Sequence, residues 1–218
     1  MRSLSKVLLA LGVAVLLAGP TFAQGRQNPV KSLLENKDFQ KDLSLTEDQV
    51  KKAVTAADDI FKKHEDDFKD IDFRSPEGQQ KMAAAMKTVS NEMKKALGEI
   101  LDAKQMKRYN QISLQGSLRR GPNAFADADL QKDLKLTDEQ KDKIKTISAD
   151  LTKEIDDMRK DAGEDQAKRR EMFQKMQGLN KEASEKITKL LTTEQKKTLE
   201  EMKGEEFKFP ERGPRPPQ

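Results

Sequence analysis

The sequence predicts an all-α fold of long antiparallel helical hairpins, arranged as two repeated units in a thin, elongated or curved helical layer. Three observations predict it. Apolar residues recur at spacings of four and three over long stretches, as one face of a helix requires. A ten-residue segment is written twice, near residues 40 and 131. No proline lies between Pro76 and Pro122 or between Pro122 and Pro210, so long helices are permitted.

The elements follow in chain order. Arg2 and Lys6 precede the small and aliphatic run 7–18, Gly19-Pro20 breaks it, and Thr21-Phe22-Ala23 supplies small residues for cleavage. Residues 1–23 are expected to be a signal peptide, which places the mature chain in the periplasm or otherwise outside the cell. The run is short for a membrane span, and no cysteine follows it to carry a lipid. A soluble protein with no membrane insertion after leader cleavage is expected. Loss of Arg2 and Lys6 takes the net charge from +4 to about +2. With 37% charged residues, no Cys, no Trp, one His and one Tyr, the chain is a highly solvated polyampholyte. Such a chain folds by pairing amphipathic helices around a thin core, without disulfides. Acids and bases are interleaved, so there is no nucleic-acid footprint.

The first helical repeat is expected over residues 24–119. Val50, Val54, Ala57, Phe61, His64, Phe68 and Ile71 keep a 4-3 spacing, the seam of a coiled-coil-like helix. Arg74-Ser75-Pro76-Glu77 breaks the pattern, with Ser75 able to cap and Pro76 suited to the first helical position. The second repeat is expected over 120–208, entered through the segment Gly116 to Pro122. Ile144, Ile147, Leu151, Ile155 and Met158 form its first seam, and Asp161-Ala162-Gly163 is a weaker break. The Pro-, Gly- and Arg-rich residues 209–218 are expected to be a disordered tail.

The two units match closely. Gln40 to Gln49 recurs as Gln131 to Gln140, offset by 91 residues. At an offset of 90, Met82, Met86, Val89, Met93, Leu97 and Ile100 map onto Met172, Met176, Leu179, Ala183, Ile187 and Leu190. A shared 4-3-4-4-3 spacing points to duplication. Within the repeat stands a box, Leu-Thr-x-x-Gln: Leu45-Thr46 with Gln49, Leu136-Thr137 with Gln140, and Leu191-Thr192 with Gln195. Leu101-Asp102 with Gln105 is a fourth copy with Asp in place of Thr. Thr or Asp is expected to be an N-cap, its oxygen accepting the N3 amide while Gln at N3 reaches back. Each cap should stabilise by about 1 kcal/mol. The Leu can staple onto Val50 or Met106, whereas Lys141 and Lys196 make the other two staples weak.

These four boxes in a Met-rich helical chain behind a signal peptide resemble the LTxxQ-motif family, that of the Spy/CpxP-type periplasmic proteins. The resemblance covers most of residues 40 to 203, one family-like unit per repeat. It implies an ATP-independent chaperone binding unfolded proteins, or a regulatory adaptor of the envelope stress response binding one sensor-kinase or envelope partner. The family fold is a thin, curved, antiparallel helical dimer. Two units in one chain suggest that a single chain takes that dimer's place, and a homodimer is the other arrangement.

Methionine suits a client-holding face because its thioether repacks against many shapes. Met82, Met86, Met93, Met172 and Met176 form a stripe, with Lys94, Arg169 and Arg170 among the flanking bases. The same spacing is what a hairpin core requires. Met86→Asp with Met176→Asp separates the two readings, since a surface stripe leaves helicity intact and a core stripe does not. His64 beside Glu65, Asp66 and Asp67 lacks the converging His or Cys ligands of a zinc site and sits on a seam position. Neither a cofactor nor catalysis is expected: there is no Cys, no second His and no phosphate loop. Acid pairs such as Asp58-Asp59 and Asp156-Asp157 diverge by roughly 100° on a helix.

Overall fold

The computed structural model describes residues 29–209 except 70, 73, 74 and 164. The leader expected over 1–23 and residues 210–218 of the expected tail lie outside the described residues. The fold is all-α, and no strand occurs among the described residues. No helix among them is long and apolar enough to cross a membrane.

Two short helices, α1 (Pro29–Leu34) and α2 (Lys37–Asp42), precede α3 (Glu47–Lys63). A 3-10 turn (Asp66–Phe68) leads to α4 (Pro76–Ile100) and α5 (Ala103–Arg120). A second 3-10 turn (Pro122–Ala126) then opens a matching series: α6 (Ala128–Asp133), α7 (Asp138–Ala162), α8 (Gln166–Leu190) and α9 (Thr193–Lys203). α4, α7 and α8 each hold 25 residues, about 37 Å at 1.5 Å per residue. Ser75 caps α4 by accepting the Gly78 amide at 3.0 Å, with proline following it. Asp165 caps α8 by accepting the Ala167 and Lys168 amides. At the start of α3 the Gln49 side chain donates to the carbonyl of Ile100, which ends α4. Gln140 on α7 does the same to Leu190 on α8. The start of one helix therefore meets the end of the next, and each pair runs antiparallel.

The matching extends to the turn between α2 and α3. Leu45 N–H donates to Gln40 O and Ser44 N–H to Lys41 O. Leu136 and Lys135 repeat both bonds, to Gln131 and Lys132. This is the Schellman arrangement. It places Ser44 and Lys135 at φ 52°, left-handed backbone that glycine more often occupies.

One expectation from the periodicity is overturned. The 4-3 seam continues in sequence to Ile71, but α3 stops at Lys63 with His64 as its C-cap. Glu65, Asp66 and Asp67 would place three carboxylates on the negative end of the helix dipole. The chain instead turns, and Phe68 folds back to stack on Phe61, with ring centroids 6.3 Å apart. The corresponding residues of α7, Asp156 and Asp157, are acidic too, but each pairs with a base three residues on, Arg159 and Lys160, and the helix runs on to Ala162.

Two cores result. The first gathers Val30, Leu34, Phe39, Phe68, Met86, Val89, Met93 and Leu97 with Tyr109 and Ile112 of α5. The second gathers Phe125, Leu130, Leu134, Ile144 and Ile187 with Leu114 of α5 and Leu199 of α9. α5 thus serves both cores along its length. Phe207, just past α9, lies in the first core and not the second. The 119/120 division marks the sequence repeat, while each core also takes in a segment from beyond it. Phe209, placed by composition at the head of the tail, packs edge-on against Phe207 with Arg119 over its ring.

Candidate functional site

The four boxes come together in two junctions. Thr46, Asp102, Thr137 and Thr192 are N-caps, each accepting the N3 amide while the N3 glutamine accepts the cap amide. In the first junction Gln49 Nε2 donates to Gln105 Oε1 at 2.7 Å, and Gln105 Nε2 donates back to Gln49 Oε1 at 3.0 Å. Each amide spends its second N–H on the facing segment, Gln49 on Ile100 O and Gln105 on Ser44 O, both at 3.1 Å. Gln140 and Gln195 repeat the exchange at 2.7 and 2.9 Å, with Leu190 O and Lys135 O as the further acceptors. The left-handed turn offers the Ser44 and Lys135 carbonyls, and the ends of α4 and α8 offer those of Ile100 and Leu190.

A capping box accepts Glu or Gln at N3, but these junctions accept only Gln. Both amide N–H groups donate, and a carboxylate can donate neither. Gln105→Glu should therefore lower stability by about 1–3 kcal/mol at neutral pH, read as a lower denaturant midpoint with unchanged slope. A midpoint within error of the parent would show that the amide pair does not hold the boxes together. The capping half of the motif was legible in sequence. The pairing joins residues 56 positions apart, which no local pattern displays.

The methionine stripe divides between the two hairpins. Met93 is fully buried and Met86 nearly so, both inside the first core. Of the two readings of the stripe, burial puts Met86 and Met93 in the hairpin core: the 66–68 turn packs against α4, and Phe68 joins the same cluster. Met82 is partly buried against the same core. Lys94 is half-buried and faces α6, where it opposes the upward shift that burial imposes on the Asp133 carboxyl.

The second hairpin differs. The Pro122–Ala126 turn packs against α7 and α8, and Asn180 of α8 meets Gly121 at the head of that turn. The second core takes nothing from α7 beyond Ile147 and nothing from α8 before Ile187. Toward the hairpin tip α7 and α8 form an arm two helices thick. Ile155, Met158, Met172, Met176 and Leu179 are half-buried along it. Phe173 is 47% exposed, the one large hydrophobic so exposed among the described residues. Phe173 lies off the 4-3 seam, so stripe-reading passes over it, although an aromatic beside a seam methionine is itself a signal. Arg169 and Arg170 are exposed at the tip, and Arg169 Nε donates to Gly163 O at 2.9 Å. Acidic Asp157 and Asp161 on α7 are exposed, as are Lys168 and Lys175 on α8, and half-buried Asp156 pairs with Arg159, so charges of both signs rim the apolar strip.

His64 sits where α3 ends. Its Nδ1 lies 2.7 Å from Asp67 and its Nε2 3.1 Å from Glu92 on α4. Lys63 also pairs with Glu92, at 2.8 Å. The bond to Asp67, with Glu92 adding to it, raises the imidazole pKa above 6.5. Lys63 first and His64 second hold the Glu92 carboxyl below its usual range. The folded state thus keeps the His64 proton more tightly than the unfolded chain. Its stabilisation is complete below the ordinary imidazole value and is lost as pH rises through the raised one. Between pH 6 and 8 the parent should lose melting temperature relative to His64→Gln. Parallel curves for the two proteins would show that the cluster adds nothing. No group of three or more potential metal ligands occurs among the described residues.

No protein-family model, curated protein or solved structure matches this chain.

Proposed function

We propose that this chain is an exported, ATP-independent holder of unfolded proteins, working as a Spy/CpxP-like unit in tandem. The observation that carries the reading is the α7–α8 arm. Met172, Met176, Ile155 and Met158 are half-buried along it, Phe173 is exposed beside Met172 in sequence, and charges of both signs flank them. Flexible thioethers and one accessible ring give an adaptable apolar contact. The mixed-sign rim keeps the loaded complex in solution. The duplication covers this stripe in the first half and leaves it open in the second. One hairpin supplies stability while the other remains available for contact. Nothing in that division needs a cofactor or a bond-making step.

The test is aggregation of three unrelated unfolding proteins, followed by light scattering without nucleotide. Near-stoichiometric chain should slow all three. A chain that leaves all three untouched but captures one folded envelope or sensor-kinase domain is an adaptor, and the holding reading then fails.

A further inference from the structure

The end of the chain crosses into the first core by an irregular route. α9 ends at Lys203, and Gly204 turns the backbone at φ +61°, where an added Cβ would stand 2.3 Å from the Gln111 amide. Past this turn the side chains alternate. Glu206 and Lys208 are exposed, Phe207 is buried and Phe209 half-buried, as in a segment laid on a surface, with one γ-turn at Lys208 where the Phe209 amide donates to the Phe207 carbonyl at 3.1 Å. No strand pairs with it among the described residues, and apart from that one bond its backbone is held by side chains. Gln115, itself buried, donates from Nε2 to the carbonyls of Lys203 and Glu205, each at 2.7 Å. Its Oε1 accepts the Phe207 amide at 2.8 Å. Arg108 Nη1 donates to Glu205 O at 2.7 Å. Phe207 then meets Phe39 edge-on at 6.0 Å, and Phe209 meets Phe207 edge-on at 5.0 Å.

These contacts ask little of the segment they hold. The hydrogen bonds go to backbone, which every peptide has, and the apolar seat asks for a ring at alternate positions. Both are the terms on which grooves receive extended peptides. An open cleft of about 940 Å³, lined in part by Asp38, Asp42, Gln111 and Gly204, runs beside the segment and leaves room for a second chain to approach. We propose that the seat along α2 and α5 is a binding site for extended, aromatic-bearing segments of unfolded proteins, held in the free chain by its own residues 205–209 as a resident ligand. This rests on the holding function and adds a second contact to the α7–α8 arm. A tethered occupant is present at high effective concentration. Only segments with well-placed rings displace it, so the seat selects among clients that the arm accepts.

The test uses the full chain and a fluorescein-labelled peptide spanning residues 205–210, with a control peptide carrying serine at both phenylalanine positions. The Phe207→Ser/Phe209→Ser chain should bind the Phe peptide about tenfold or more tighter than the parent, because an occupied seat raises the apparent dissociation constant. The control peptide should not bind. A helical variant that binds neither peptide, or both alike, overturns the proposal. If the variant loses its helical circular dichroism, hydrogen exchange on the parent decides. The Phe207 amide should exchange faster when the chain is saturated with an unfolding client or with the Phe peptide, and an unchanged rate overturns the proposal. A parent that suppresses aggregation while Phe207 stays protected is a holder without this seat. A chain that ignores aggregating clients yet binds the Phe peptide keeps the seat and loses the holding function.

Discussion

Met93→Asp should cost at least about 4 kcal/mol and remove cooperative unfolding of the first half of the chain. Met93 is fully buried on α4, among Val89, Leu97 and the α3 alanines Ala53 and Ala57. A carboxylate there would be a charge taken out of water, and a buried charge is among the few single changes with effects of this size. The measurement is a denaturant titration followed by circular dichroism. A variant with parental midpoint would mean that the stripe of α4 is solvated after all.

The second large effect falls on function and spares the fold. Phe173→Asp with Met176→Asp should abolish suppression of client aggregation while changing stability by about 1 kcal/mol or less. Phe173 is already nearly half exposed and Met176 only half-buried, so carboxylates there remain hydrated. What they remove is the apolar contact. Scattering traces of the variant indistinguishable from those of the parent, with helicity intact, would show that clients do not touch this arm. The pair Met86→Asp with Met176→Asp mixes a core site with an arm site, and would lose fold and holding together.

How much of this was written legibly in the chain depends on the range of the interactions. The caps at Thr46, Asp102, Thr137 and Thr192, the Ser75-Pro76 start and the Gly163 break all act over a few residues, and each was recoverable by inspection. α1 and α2 are six residues each, too short to show a period, yet they bring Val30, Leu34 and Phe39 into the first core. The seam through His64 and Phe68 has the right spacing for a helix, yet the chain turns at His64, whose ring pairs with Asp67 and with Glu92 of α4. The methionine stripe has equal periodicity in both hairpins but unequal burial. The difference lies in what packs there: the 66–68 turn adds to α3 against α4 in the first hairpin, whereas α8 toward its tip meets α7 alone. Phe207 reaches Phe39 from the far end of the chain, and no window along the sequence connects them.

That last contact also sets an order of events. As the chain is made from its N-terminus, the first hairpin appears early, but Phe207 and the backbone that Gln115 holds appear only after α9. Closing so long a loop is slow relative to local helix formation. The amino-terminal half therefore has its helices long before it has its complete core. The first core is thus completed by a contact that forms late and can be undone without unwinding the helices beneath it.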